Sequence, residues 1–455
     1  MSMRLPDAAS PTDEAPVTRA DLSTSFQRWG KPPERWRVGA EFEKVVVHRA
    51  TGKQVTFWEE PGIETLLRGL SRGLGWNAYE EVGHTVALAR QERCGKATVT
   101  LEPGGQVELS TPPCVSLFDM VESLQRHVEE VQNLLPPEQA VLAIGFTPFS
   151  TVDEVPLTVR ERHRIMSNYL PQRGHLALHM MKGTSSVQCA LDYADEEDAG
   201  RKAFCALSLS AIGTAMFANS PLDRGNATGL VSFRGRIWQN TDPQRSGLLA
   251  DIVRDGDFSF DRWIDYLLDV PMMFYALGDR WLPAHGRTFR DYMATGYEGH
   301  FPTQEDWEIH LTSVFPEVRL KQFVEVRGAD AVGSDLAVTF PGLWKGILYD
   351  QQALEDALRL ARTFPAEDRA GLFDVAITRG LEGQWKGRLL ADIAREMLEI
   401  STEGLRRQSQ ASGRRDESVV LEPLRALLNE GQSPGAQFLS RGDLSPAAVV
   451  KWFEY

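Results

Sequence analysis

Cysteine is scarce in this chain of 455 residues: four occur, Cys94, Cys114, Cys189 and Cys205, and the nearest two lie sixteen positions apart. No CxxC pair exists, so zinc-ribbon and thioredoxin-type motifs are excluded. Thiols this sparse fit a reducing cytosol, and a cytoplasmic location is expected. Basic residues are in deficit, 49 Lys and Arg against 63 Asp and Glu, for a formal net charge of −14. That balance disfavours nucleic acid and anionic membranes as partners, since both require cationic surface. A long apolar run is missing too. The nearest thing to a membrane span, Ala203 to Leu222, is uncharged but interrupted by Ser208, Ser210, Thr214, Asn219 and Pro221, and reads as a buried core helix. The opening MSMRLPDAASPTDEAP lacks the apolar core of a secretory signal, and Asp7, Asp13 and Glu14 argue against a transit peptide. Residues 1–18 are expected to form a flexible lead. No internal repeat of solenoid or propeller length is visible.

What is present is a mixture of both kinds of regular structure. Strand-like runs near 37–48, 97–110, 139–146, 184–193 and 317–327 alternate with helical stretches near 114–134, 198–218, 260–277 and 351–362. The spacing is irregular and short βαβ units are absent, which leans toward an α+β layout. The stretch 406–418, RRQSQASGRRDES, has no aliphatic residue beyond one alanine and reads as a polar linker or loop. Residues 19–405 are expected to form the catalytic body, and 419–455 a helical appendage that packs back on it.

The strand-like runs carry the chemistry. In PEVRLKQFVEVR the odd positions are Glu317, Arg319, Lys321, Phe323, Glu325 and Arg327, opposite an even row dominated by Val and Leu. Side chains alternate faces along a strand, so a charged row looks away from an apolar one. A solvated outer face would explain one such strand, but others repeat the pattern. Gln188 lies on the polar row of TSSVQCALDY, Glu41 and Glu43 share a face in VGAEFEKVVV, and Glu102 and Glu108 flank a Pro-Gly-Gly element able to kink or bulge. Adjacent carboxylates repel unless a cation holds them. Hard cations such as Mg²⁺ take oxygen ligands, and arginine recognises phosphate with paired donors. Five glutamates and a glutamine beside Arg319, Lys321 and Arg327 therefore point to an oxygen cage holding nucleotide phosphates on metal. A carboxylate-pair glycoside hydrolase is the competing reading, since acidic clefts with tryptophans suit it. Arginines beside the acids speak against it.

These segments, together with IMSNYLP (165–171), the MM…T…VQ…LDY block (180–193), FANSP (217–221), RIWQNTDPQRSG (236–247), DYLLDVPM (265–272) and HLTSVFPEVRL…EVRGAD (310–330), closely resemble the plant-type glutamate–cysteine ligases. The resemblance implies a glutamine-synthetase-like fold, a curved and mainly antiparallel sheet forming a half-barrel with outer helices. It implies ATP-dependent joining of L-glutamate to L-cysteine through γ-glutamyl phosphate, the first step of glutathione synthesis, with other amines as alternative acceptors. ATP and Mg²⁺ are the implied cofactors, and a monomer or weak homodimer is expected. Carried over by position, Glu41, Glu43, Glu102, Glu108, Gln188 and Glu325 become metal ligands. Arg327, Arg319 and Lys321 serve the phosphates. Arg234 and Arg236, two apart beside Trp238, become candidates for the glutamate α-carboxylate. His84, His163, His179 and His310 show no ligand spacing and are read as structural. The disulfide-based control associated with the plant enzymes is not carried over, because the four cysteines do not align with those positions.

Overall fold

The computed structural model describes residues 15–249, 252–253, 256–278 and 280–455. Most of the expected N-terminal lead, residues 1–14, lies outside the described residues; Thr18 caps a helix over Arg19–Trp29. The strands β1 (Val38–His48), β2 (Asn77–Glu81), β3 (His84–Glu92), β4 (Gly95–Leu101), β5 (Val107–Ser110), β6 (Gln139–Leu142), β7 (Ser186–Leu191), β8 (Val318–Leu320) and β9 (Val324–Asp330) make one sheet. Its order is β8-β9-β7-β1-β5-β4-β3-β2, with β6 on the second half of β1. Every pairing within it is antiparallel. The two ends of this path, β8 and β2, do not pair with each other, so the sheet is open.

β1 shows why the sequence builds this centre. GAEFEK alternates in polarity where β1 pairs with β5 and β7, and then gives way to Val45, Val46 and Val47, where β6 takes over the pairing. β-branched residues fit a pleated surface, and a continuous apolar run suits a strand covered on both faces. All but the last residue of β1 is buried.

Helices α1 (Leu117–Leu134), α2 (Glu161–Tyr169), α3 (Glu196–Phe217), α4 (Phe233–Gln239), α5 (Thr339–Leu348) and α6 (Leu390–Ser412) surround the sheet. α3 contains most of the run that came nearest to a membrane span. Asp195 caps it by accepting from Asp198 N at 3.0 Å, and three acids occupy its first turn, where the helix dipole favours them. From Ala203 onward every residue is buried. Ser210 donates to Leu207 O, Thr214 donates to Gly328 O of β9 at 2.9 Å and Ser208 Oγ accepts from Arg369 Nη2 at 2.9 Å, so the hydroxyls of this helix are satisfied. Burying one side chain such as Leu209 or Ile212 stabilises by roughly 1.5–3 kcal/mol. Among the described residues no helix is long and apolar enough to cross a membrane.

Four local readings change. Residues 97–110 are not one run: β4 and β5 pair antiparallel around the Pro-Gly-Gly turn. Residues 317–327 are not one strand: the chain reverses at 321–323 and forms the β8–β9 hairpin. Its register sets Arg319 opposite Glu325, odd against odd, so the charged row stays on one face. Residues 260–277 are a helix only to Asp269, and Phe274–Leu277 is a strand. The polar stretch 406–418 is helical as far as Ser412, as the end of α6. Beyond it Glu417 accepts from Leu117 N at 2.9 Å and pairs with the buried Lys345, fastening the C-terminal region to α1 and α5. Val449, Val450 and Phe453 then pack on Val45, Val47 and Leu142.

Candidate active site

The charged face of the sheet is buried. Glu108 is fully enclosed and Glu325, Gln188 and Arg319 are each at most 2% exposed, so the outer-face explanation of these strands does not hold. A buried charge must be paired or must hold an ion. The face resolves this differently at its two ends.

At one end sit Glu43, Glu102 and Glu108, each offering a carboxylate oxygen within 4.8 Å of the others. Glu43 and Glu108 are direct cross-strand neighbours, an arrangement that like charges destabilise. Burial, then Glu102 and Glu108, push the Glu43 carboxyl up to about 8. Glu108 accepts from Thr100 Oγ1 and Ser110 Oγ, both at 3.0 Å. Glu102 arrives by the Pro-Gly-Gly turn. Gly105 takes φ +92°, and a Cβ on Gly104 would lie 2.3 Å from Lys182 O, so both positions require glycine. Pro103 O accepts from Thr158 N at 3.0 Å, which brings the segment before α2 against the turn. Arg160 in that segment and Arg162 in the first turn of α2 are buried, and Arg162 is pushed down to about 9 by burial and by Arg160, against the pull of Glu102, Glu81 and Glu108.

At the other end one carboxylate meets three cations. Arg319 Nε donates to Glu325 Oε2 at 2.6 Å, Arg327 Nη1 reaches the same oxygen at 3.1 Å, and Lys321 Nζ lies 3.2 Å from Oε1. Burial alone would raise Glu325, but Arg319, Lys321 and Arg327 hold it well below the usual carboxylate range. Burial and Arg319 lower Lys321 to about 8, with Glu325 and Glu41 opposing. Glu41, paired with Gln188 across β1 and β7, contributes its charge to this end.

Gln188 joins the two. Its Nε2 donates to Glu43 at 2.9 Å and to Ser186 Oγ at 3.0 Å, while its Oε1 accepts from Arg327 Nη1. The six expected ligands therefore do not form a single cage: Glu43, Glu102 and Glu108 converge, Gln188 borders them, and Glu325 is engaged by cations.

The cleft between the ends is lined by Met166, Met180, Trp238, Phe315, Arg234 and Arg327, among others. Arg234 is buried on the first turn of α4, donates Nη2 to Arg327 O at 2.9 Å and lies 3.8 Å from Asp330. Trp238, one helical turn on, has both Arg234 and Arg327 within 6 Å of its ring, at 5.9 and 5.8 Å. Arg236 is elsewhere. Residues two apart on a helix face opposite ways, and Arg236 lines a separate surface cavity with Nη2 3.4 Å from Asp374.

The donor set fits a hard divalent cation, because three clustered carboxylates, one of them raised by burial and by the other two, are the oxygen ligands such an ion takes. The description of glutamate–cysteine ligase family 2 (GCS2) matches residues 37–450. The chain belongs to this family. Family relatives include the chloroplastic glutamate–cysteine ligase A of Oryza sativa subsp. indica, 35% identical over 443 residues covering 95% of this chain and 87% of the relative. The chloroplastic enzyme of Nicotiana tabacum is 34% identical over 442 residues, covering 95% and 82%. A solved glutamate–cysteine ligase from Francisella tularensis in complex with AMP superposes with TM-score 0.52 at 14% identity, over 92% of this chain and 89% of that one. That likeness shows the shared fold. The plant family members are chloroplastic, which overturns the cytoplasmic expectation drawn from cysteine scarcity: few thiols describe redox tolerance and do not give an address.

Sequence reasoning missed the buried Arg160 and Arg162 near Glu102 and Glu108. The signal was available, since both stand just before the IMSNYLP block and two residues apart. It missed Ser186, Thr100 and Ser110 because small hydroxyls carry no recognisable pattern.

Proposed function

We propose that this chain joins the γ-carboxylate of L-glutamate to the amine of L-cysteine at the expense of ATP. What supports the reading is the split sheet face: an end where three carboxylates converge beside an end with three cations on one acid. A magnesium nucleotide would suit both, the carboxylate oxygens taking the cation and the guanidinium and ammonium groups the polyphosphate.

In this reading Glu43, Glu102 and Glu108, with Gln188 and Glu41 at their border, would hold Mg²⁺, and Glu325, beside Arg319 and Lys321, is the sixth candidate ligand. A divalent ion bound there neutralises charge on phosphate oxygens. Arg327 contacts the γ-phosphoryl as it moves from ATP to a glutamate carboxylate oxygen, giving γ-glutamyl phosphate and ADP. The cysteine nitrogen then attacks the acyl carbon, phosphate leaves with the bonding pair, and the nitrogen loses a proton. Arg234 binds the glutamate α-carboxylate, and Met166, Met180 and Phe315 give the thiol side chain an apolar wall. Positioning and charge stabilisation carry such transfers.

The open sheet is taken as a glutamine-synthetase-like half-barrel, residues 19–405 as the catalytic body, 419–455 as its helical appendage, and the chain as a monomer or weak homodimer. ADP release with glutamate, Mg²⁺ and each amino acid in turn tests the reaction. Cysteine-dependent turnover is expected; turnover with another amine alone reassigns the acceptor, and turnover without ATP removes the ligase reading. R327K is expected to slow single-turnover phosphoryl transfer more than it weakens ATP binding, because lysine lacks the planar two-point contact.

A further inference from the structure

Two of the four cysteines meet. Cys94 occupies the two-residue turn between β3 and β4, and Cys114 bridges Val38 at the start of β1. Asp119 lies in the first turn of α1. One ligand atom from each of Cys94, Cys114 and Asp119 lies within 4.8 Å of the other two, and the Cys114 thiol donates to Pro112 O at 3.2 Å. Cys114 is buried, while Cys94 and Asp119 are partly exposed beside a cavity that Arg37, Arg93 and Arg414 also line. Cys189 and Cys205, by contrast, are buried in the apolar core.

Two thiols alone need only each other to form a disulfide. A carboxylate arriving at the same point from a third segment is what a cation requires. In a tetrahedral zinc site with Zn–S near 2.3 Å the ligand atoms stand about 3.8 Å apart, so a contraction of about 1 Å closes this group on an ion. Sulfur ligands select a zinc-class metal over Mg²⁺, which keeps to oxygen, so this site and the glutamate cluster do not compete. Asp119 pairs with Arg93 at 3.2 Å, and the arginine side chain is 84% exposed, a contact worth little and readily exchanged.

We propose that Cys94, Cys114 and Asp119 bind one zinc-class divalent cation, with water from the adjoining cavity in the fourth position. Two thiolates and a carboxylate on a divalent ion leave one net negative charge, which Arg37, Arg93 and Arg414 offset. The ion clamps the β3–β4 turn onto the first residue of β1, three positions before Glu41.

The reduced full-length chain, titrated with Co²⁺ in excess Mg²⁺ and read by thiolate-to-cobalt charge-transfer absorption, tests this; Zn²⁺ is then competed against a chromophoric chelator. One Co²⁺ per chain with a thiolate band, displaced by Zn²⁺, is expected. Because loss of an outer-shell partner already costs about 10–100-fold, C94S should weaken Zn²⁺ more than about 100-fold and change the band, and D119N should weaken it with the band kept. Cys94 is on a surface turn, so C94S tests the site even where C114S fails to fold. A reduced chain with no thiolate band, a C94S variant with unchanged band and affinity, or thiols that only oxidise to a Cys94–Cys114 disulfide without taking up metal would each overturn it.

Discussion

Glu43 and Glu325 are the same residue type, both on central strands, both buried on one face of one sheet, yet they are driven in opposite directions. Glu43 is raised to about 8 by burial and by Glu102 and Glu108, whereas Glu325 is held far down by Arg319, Lys321 and Arg327. The difference lies in which strands each one neighbours. It teaches that one sheet face can drive two identical side chains in opposite directions, with Gln188 as a neutral joint that donates to Glu43 and accepts from Arg327.

The strongest way to break this contrast is to neutralise the carboxylate at the cationic end. E325Q leaves three buried cations without their shared anion, and a stability loss of about 3–5 kcal/mol is expected in denaturant melts, together with loss of turnover. Next is R234A, which removes the buried guanidinium facing the cleft; KM for glutamate should rise about 10–100-fold, the range of a charged hydrogen bond. R236A, at an exposed pair, should stay within about twofold, and equal effects would return Arg236 to the site. Proton linkage sharpens the contrast through opposed slopes. A cation displaces the proton on Glu43, so metal affinity should fall by up to about tenfold per pH unit below about 8. Lys321 loses its charge above about 8, so metal-free polyphosphate binding should weaken as pH rises. Two titrations by calorimetry with the same slope would contradict the division. The smallest effect is E108Q: its repulsion with Glu43 is lost together with its attraction to Lys44, Arg160 and Arg162, so the stability of the metal-free chain should change by no more than about 1 kcal/mol, while the Mg²⁺ response is abolished. A metal-free E108Q as destabilised as E325Q would make the two ends alike.

Much of this face was legible beforehand because a strand's period of two is local. Glu41 with Glu43, Gln188, and Glu325 with Arg327 were grouped from alternation, Glu102 and Glu108 from the Pro-Gly-Gly element between them, and even the misread hairpin at 321–323 preserved the grouping through its odd-to-odd register. The same parity argument failed at Arg234 and Arg236, which stand on a helix, where the pair that shares a face is Arg234 and Trp238. Arg160 and Arg162 were missed because their role depends on a backbone contact between Thr158 and Pro103, 55 residues apart. The polar stretch after 405 was misjudged for lack of aliphatic residues, although α6 needs only one buried stripe, supplied by residues such as Met397 and Leu405.

The sequence by itself determined which side chains share a surface, because backbone geometry makes successive strand residues point to opposite sides whatever lies beyond them. Only the tertiary structure decided what each charge would face. Strand order and register bring Glu43 beside Glu108 and Glu325 beside Arg319, and in a buried, weakly screened interior the identity of the nearest charge sets whether a carboxylate waits for a cation or already has one.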